Sequence, residues 1–193
     1  MQRYKVAKVF TTFFKYFYYF WETIIYEMET QIRAYKTEDT QAILDIINYN
    51  ILHSTALYDY NIRNYEQQKA ILEDKINKGF PVIVAELNGE LVGFGMYSEF
   101  RFREAYKFTV EHSVYVSENH IGKGIGKVLL SQLIQLAKAQ GLHTMIGVID
   151  SENKGSITFH EQFGFKTVGI IKESGYKFDR WLDSVFVQLL LKE

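Results

Sequence analysis

The chain has 193 residues and not one cysteine. That excludes disulfides, a thiol nucleophile and a cysteine-ligated metal, and it fits a reducing cytoplasm, which is the expected compartment. Proline is almost missing too, with Pro81 standing alone. No domain linker, repeat or low-complexity tract divides the chain, so one domain with a real core is expected at this length. Neither sign of charge dominates: 22 Lys and Arg against 23 Asp and Glu leave a net charge of −1. This argues against nucleic acid held on a basic face. The histidines, His53, His112, His120, His143 and His160, show no HExxH-type spacing, so no metal is expected. Also lacking is a long apolar run. The densest block, Phe13 to Trp21, is broken by Lys15 and followed by Glu22. A membrane span needs roughly 20 apolar residues, so none is expected, and no small-residue cleavage site follows the block.

That block lies in residues 1–27, where eleven aromatic residues fall between Tyr4 and Tyr26. An interfacial amphipathic anchor is one reading. The other is an extension from an upstream start codon, with Met28 opening the domain proper. The second is the expectation, which makes 28–193 the domain.

What the chain does have is a concentrated signal between Phe108 and Leu130. Phe108 to Val116 is rich in β-branched and aromatic residues and reads as a strand. After a polar corner at Ser117 to His120 comes Ile121-Gly122-Lys123-Gly124-Ile125-Gly126-Lys127. From Ile125 onward, Leu129, Leu133, Leu136 and Ala137 recur at helical spacing. A strand, a glycine-rich turn and a helix start together make a pyrophosphate site. The first helical N–H groups are unpaired and carry partial positive charge, and glycines let an anion approach them closely. Two nucleotide motifs fail here. Val128 stands where a P-loop needs Ser or Thr, and Lys127 stands where a dinucleotide fingerprint needs its third glycine.

The remaining pattern gives the order β-α-α-β-β-β-α-β-α-β-β. Ile32 to Tyr35 is a strand, and Thr37 caps a helix through Asn48 or beyond. Tyr65 to Lys78 is a second helix, stopped by Gly79 and Pro81. Val82–Leu87 and Glu90–Ser98 are strands joined by an Asn88-Gly89 hairpin turn. Arg101 to Lys107 is a charged and aromatic connection to the central strand. The glycine helix runs from Gly124 to Gln140. His143–Ile149 is a strand, Asn153–Gln162 a helix, and Phe165–Glu173 and Trp181–Leu191 are the last strands. The expected class is therefore α/β (α+β), a mixed twisted sheet of about seven strands with helices on both faces.

Gly-x-Gly-x-Gly before a helix, with Glu111 on the strand upstream, resembles the acetyl-CoA site of the GNAT acyltransferase superfamily, and the element order matches that fold from Ile32 to Leu191. Within it the chain resembles the phosphinothricin and methionine-sulfoximine N-acetyltransferases. The residues carrying this are Asn50 to Tyr60 with Ser54-Thr55, Arg101 to Tyr106, Glu111 to Val116, Phe159-His160-Glu161 before Gly164-Phe165, and Lys177-Phe178 ahead of Arg180 to Asp183.

The resemblance implies acetyl transfer from acetyl-CoA to the α-amine of a small amino-acid-like substrate, with Glu111 as general base. Val114, Tyr115 and Val116 offer backbone groups to the cofactor in the manner of a strand partner. Gly122, Lys123, Gly124, Ile125, Gly126 and Lys127 cradle the pyrophosphate. Asn153 holds the pantetheine amide, and Gln162 faces the cofactor from the same helix. His160 stands where many members place the tyrosine that protonates the leaving thiolate. Arg101, Phe102, Arg103 and Tyr106 hold the substrate, with the two arginines clamping its oxygens, and His112 and Ser113 line the same side. The superfamily favours Gln or Arg three residues before Gly124. Ile121 stands there and removes one side-chain phosphate contact. A homodimer is also implied. The competing readings are a protein or peptide amine acetyltransferase and a non-catalytic acyl-CoA sensor.

Overall fold

The computed structural model describes residues 30–191, and the expectation for residues 1–27 lies outside them. The elements in chain order are β1 (Gln31–Ala34), α1 (Thr40–His53), α2 (Tyr65–Asn77), β2 (Val82–Leu87), β3 (Glu90–Glu99), β4 (Thr109–Val116), α3 (Ile125–Ala139), β5 (Thr144–Asp150), α4 (Lys154–Glu161), β6 (Lys166–Lys177) and β7 (Arg180–Leu190). The order read from the sequence holds throughout. The strands form one seven-stranded sheet ordered β1-β2-β3-β4-β5-β7-β6. All neighbours are antiparallel except β4 and β5.

Alternation along the central strands feeds two cores. Val82, Val84, Phe94, Met96 and Tyr115 face one way and pack with Ile43, Ile47 and Ile51 of α1 and Leu72 of α2. Ile83, Ala85, Tyr97 and Val110 face the other way, against Ile125, Leu129 and Leu133 of α3. Gly93 and Gly95 sit under α3 because the helix lies so close. A Cβ on Gly93 would stand 3.2 Å from Leu129 Cδ1 and one on Gly95 3.0 Å from Leu133 Cδ1. The β2–β3 turn has Asn88 at φ 51° and Gly89 at φ 83°, the left-handed pair that a two-residue hairpin requires.

Two boundaries differ from the sequence reading by more than one residue. Thr37 does not cap α1. Thr37–Asp39 is a separate single turn, and α1 begins at Thr40. The cause is Asp39, whose carboxylate accepts from both terminal guanidinium nitrogens of Arg33, at 2.7 and 2.8 Å, together with the Lys36 N–H at 2.7 Å. β6 runs to Lys177, past the expected end at Glu173. Its pairing with β7 slips between Ile171 and Gly175, where Glu173 has φ 48°. The polar Lys172-Glu173-Ser174-Gly175 run thus marks an irregularity inside a strand rather than its end.

Leu133, on the inner face of α3, is fully buried. Leu133→Ala is expected to lower the unfolding free energy by about 2–5 kcal/mol in urea titration. A loss below about 1 kcal/mol would mean that α3 does not anchor this core.

Candidate active site

β4 and β5 are paired over three rungs only: Thr109 with Thr144, Val110 with Met145 and Glu111 with Ile146. Beyond Glu111 they part. β4 stays on β3 as far as Val116 opposite Gly93, and β5 stays on β7 as far as Asp150 opposite Ser184. The diverging strands open a cleft of about 1000 Å³. His112 to Val116 form one wall and Gly147 to Asp150 the other. Main-chain groups of β4 that face the gap have lost their partner strand, so they are available to an extended ligand.

The mouth of the cleft is the glycine turn. Gly122 and Gly124 have φ 81° and 83°, a region closed to most side-chain-bearing residues. Gly124 is the N-cap of α3, and Lys127 N–H and Val128 N–H already return to Gly124 O at 2.9 and 3.2 Å. The donors that a helix leaves open lie ahead of these. Gly126 faces Val116 and Phe159, and an added Cβ would meet them in ordinary contact, 3.8 Å from Val116 Cγ2 and 3.7 Å from Phe159 Cζ. Gly122, Gly124, Gly126 and Lys127 line the cleft, as does the exposed side of Ile121. Lys123 is not in the lining, and Ile125 turns inward to the core at 1% exposure.

Glu111 sits at the last paired rung, where the strands begin to part. Burial pushes its carboxyl above the ordinary range, and Lys75 and Arg101 pull it back. This is the environment of a base that keeps its proton longer than a surface carboxylate does. Ser113 and Val114 follow it along the cleft. Tyr115 lines the cleft but its ring stacks on Phe94 at 5.2 Å, and burial raises its hydroxyl to about 12.

α4 supplies the opposite side. Asn153 is its N-cap, accepting the Ser156 N–H at 3.0 Å. Its Oδ1 is therefore occupied, which leaves its amide NH₂ for the cleft that it lines. Gln162 caps the other end of α4 and also reaches the lining. His160 is buried, and its Nδ1 donates to Ser156 O at 2.6 Å, so Nε2 is the acceptor. Burial lowers its pKa against the effect of that hydrogen bond. His112 lies 5.1 Å from His160, ring to ring, and burial first and His160 second bring its pKa down to about 3. Gly147 makes room for both: an added Cβ would meet His112 Nε2 at 3.1 Å and His160 Nε2 at 3.5 Å. Neither imidazole carries a positive charge at neutral pH.

The arginine loop lies apart. Arg101 and Phe102 line a second cavity of about 460 Å³ with Lys75, Ser98 and Glu99. Arg103 and Tyr106 line neither cavity. Arg101 and Arg103 lie over the rings of Phe100 and Phe102, at 5.1 and 5.7 Å. Ser98 is the cross-strand partner of Glu111, so the second cavity abuts the first at that rung. Sequence reasoning did not select Tyr58, His120, Gly147, Asp150, Ser156 or Phe159, all of which line the cleft. Ser54-Thr55 and the His160 neighbourhood were legible as motifs, but Gly147 and Asp150 carry no local signal. Among the described residues no group of three or more His, Asp or Glu could hold a metal, and no helix is long and apolar enough to cross a membrane.

A cleft between splayed strands, closed by a glycine turn at a helix start, fits a long ligand with a diphosphate and an amide-bearing arm. The sequence model of the acetyltransferase (GNAT) family matches residues 47–165. The L-methionine sulfoximine/L-methionine sulfone acetyltransferase of Salmonella typhimurium is 39% identical over 162 residues, covering 84% of this chain and 95% of that protein. The crystal structure of an N-acetyltransferase from Staphylococcus aureus Mu50 superposes with a TM-score of 0.83 at 43% identity, over 84% of this chain and 99% of that one. A GNAT superfamily phosphinothricin acetyltransferase from Sinorhizobium meliloti, solved in complex with AcCoA, gives 0.83 at 35% identity, over 86% and 90%. The parted strands, the glycine turn and these likenesses agree: the chain belongs to the GNAT acetyltransferase family.

Proposed function

We propose that the protein moves the acetyl group of acetyl-CoA to the α-amine of a small amino-acid-like substrate of the methionine sulfoximine, methionine sulfone or phosphinothricin type. The observation that carries this is Glu111, a desolvated carboxylate at the rung where β4 and β5 separate. The relatives named for such substrates match over most of the chain.

Bound acetyl-CoA supplies an activated thioester. The Gly122–Lys127 turn would hold its diphosphate through its backbone, with Lys127 adding charge from the lining. The backbone of Val114 to Val116, Asn153 and Gln162 would hold the arm. Glu111 takes the proton of the incoming ammonium, directly or through water. An α-ammonium gives up that proton more readily than a lysine side chain, whose ordinary pKa is about 10.4. Acylation releases one further N–H proton, and the departing sulfur needs one. His160 is neutral with Nε2 as acceptor, so it acts as a relay between the two rather than as a standing acid. Arg101 would hold the substrate's distal oxygens across the Glu111–Ser98 rung, with Phe102, Arg103 and Tyr106 completing that loop and Ser113 and the backbone of His112 flanking the base.

A homodimer is part of the same reading. β6 is the edge of the sheet, and Val168, Ile170, Ile171 and, on β7, Trp181 are each half exposed or more. Monomeric proteins seldom leave such an edge uncovered, and a second copy of the same face is the simplest cover. Sedimentation should give twice the chain mass, reduced to one chain by Ile170→Asp; a monomeric wild type would refute it. The cysteine-free chain supports a cytoplasmic location.

Thiol release from acetyl-CoA should appear with methionine sulfone, methionine sulfoximine or phosphinothricin and stay near background with a lysine peptide. Release with the peptide alone would favour the protein-amine reading, and no release at all would remove the reaction. In the same assay Glu111→Gln should cut turnover by about 10²–10⁴-fold. In the wild type, kcat/KM should fall as pH drops through a pKa above the ordinary carboxylate value, because the base must be ionised. An acid limb at or below that value would exclude Glu111.

A further inference from the structure

The loop between α1 and α2 forms one side of the cleft. Thr55, Ala56, Leu57 and Tyr58 line it, and Leu57 packs against the core that contains Tyr115 and Met96. This is the face of β4 that Glu111, Ser113 and Tyr115 share by alternation, whereas Gly126 of the glycine turn meets Phe159 of α4. Residues 54–64 contain no helix or strand. Their position therefore depends on ties made by side chains.

At its two ends the loop is tied to the flanking helices, Ser54 to Asn50 of α1 and Arg63 to Asn48 of α1 and Gln68 of α2; the long-range ties of its middle lead to the β6–β7 hairpin, more than a hundred residues away in sequence. Lys177 is only 3% exposed, and its Nζ donates to Ser54 O at 2.8 Å and to Leu57 O at 2.6 Å. A buried ammonium is tolerated only when hydrogen-bonded, and here both acceptors are carbonyls of the loop. The same bonds satisfy main-chain groups that have no ladder to join. Desolvation lowers the Lys177 pKa, with Asp59 of the same loop as the opposing charge. The Tyr58 ring lies on Gly175, where an added Cβ would come within 2.5 Å of Cε2. Tyr58 Oη is 3.3 Å from Ser184 Oγ, and Tyr60 donates to Tyr176 O. None of these contacts involves Gly122 to Lys127.

We propose that Lys177, assisted by Gly175, is a positioning residue for the amine: it clamps residues 54–58 to the last hairpin so that their inner side frames the space next to Glu111. This rests on the reaction proposed above, and it assigns to the clamp the amine end of the cleft but not the cofactor end.

Lys177→Met removes the donors while keeping an unbranched chain. Gly175→Ala displaces Tyr58 without touching the lysine. For both, the KM for the amine should rise by about tenfold or more while the KM for acetyl-CoA changes by less than about twofold. Amide exchange of residues 54–60 should quicken in both variants, with α3 unchanged. Should Lys177→Met fail to fold, Lys177→Gln and Gly175→Ala carry the same comparison. Equal rises in the two KM values, or loop exchange indistinguishable from wild type, would overturn the proposal. If the wild type acetylates none of the amines, the reaction itself fails, and the exchange comparison alone still decides whether Lys177 holds the loop.

Discussion

Everything in this molecule follows from a parallel pairing that stops after three rungs. β4 and β5 share hydrogen bonds up to Glu111 and Ile146 and then diverge. A sheet that closed fully would bury this region and leave no site. The divergence exposes one edge of β4 to a cleft while the other edge remains held by β3 down to Val116. The same strand is thus a rigid support on one side and an open template on the other. Its chain then runs straight into the glycine turn and α3, so the open edge and the helix-start donors are fixed relative to one another by covalent continuity. That continuity explains why one unbroken stretch, from Glu111 to Lys127, lines the cleft from its apex to its mouth.

The divergence also sets the electrostatics. At the apex the surroundings are poor in water, which raises Glu111 and lowers His112 and His160. All three shifts disfavour charge and have the same cause. The result is a neutral histidine pair on the α4 side of β4 and a reluctant carboxylate on the α2 side, where Lys75 and Arg101 lie. Alternation along one strand separates the two: Glu111 and His112 are neighbours in sequence and point to opposite faces. A proton taken from an ammonium and a proton delivered to sulfur can then be handled on different sides of the same strand.

Much of this was legible from the residues. The glycine turn could be read because φ above zero and a helix start both leave marks, at Gly122, Gly124 and the Leu129–Leu133 spacing. The Asn88-Gly89 hairpin and the α4 cap at Asn153 could be read for similar local reasons. The splay could not, because where two strands part is decided by the packing of α3, α4 and β7 on either side. The histidine pair was half legible: His160 stood out, but its state depends on Ser156 O and on the missing side chain at Gly147. The arginine loop was recognised as a motif, yet Arg101 opens onto a separate cavity, whose Ser98 is the cross-strand neighbour of Glu111. Lys177 was visible as part of a motif, and its acceptors on a loop 120 residues away were not.

The central claim is that the unpaired edge of β4 and the turn beyond it together receive the cofactor. Hydrogen–deuterium exchange with and without acetyl-CoA tests it most directly. Slowed exchange confined to residues 112–116, 122–126 and the start of α4 is the outcome required by strands that part to admit a ligand. Slowing centred on β6–β7 or on the cavity beside Arg101, with β4 unaffected, would contradict it.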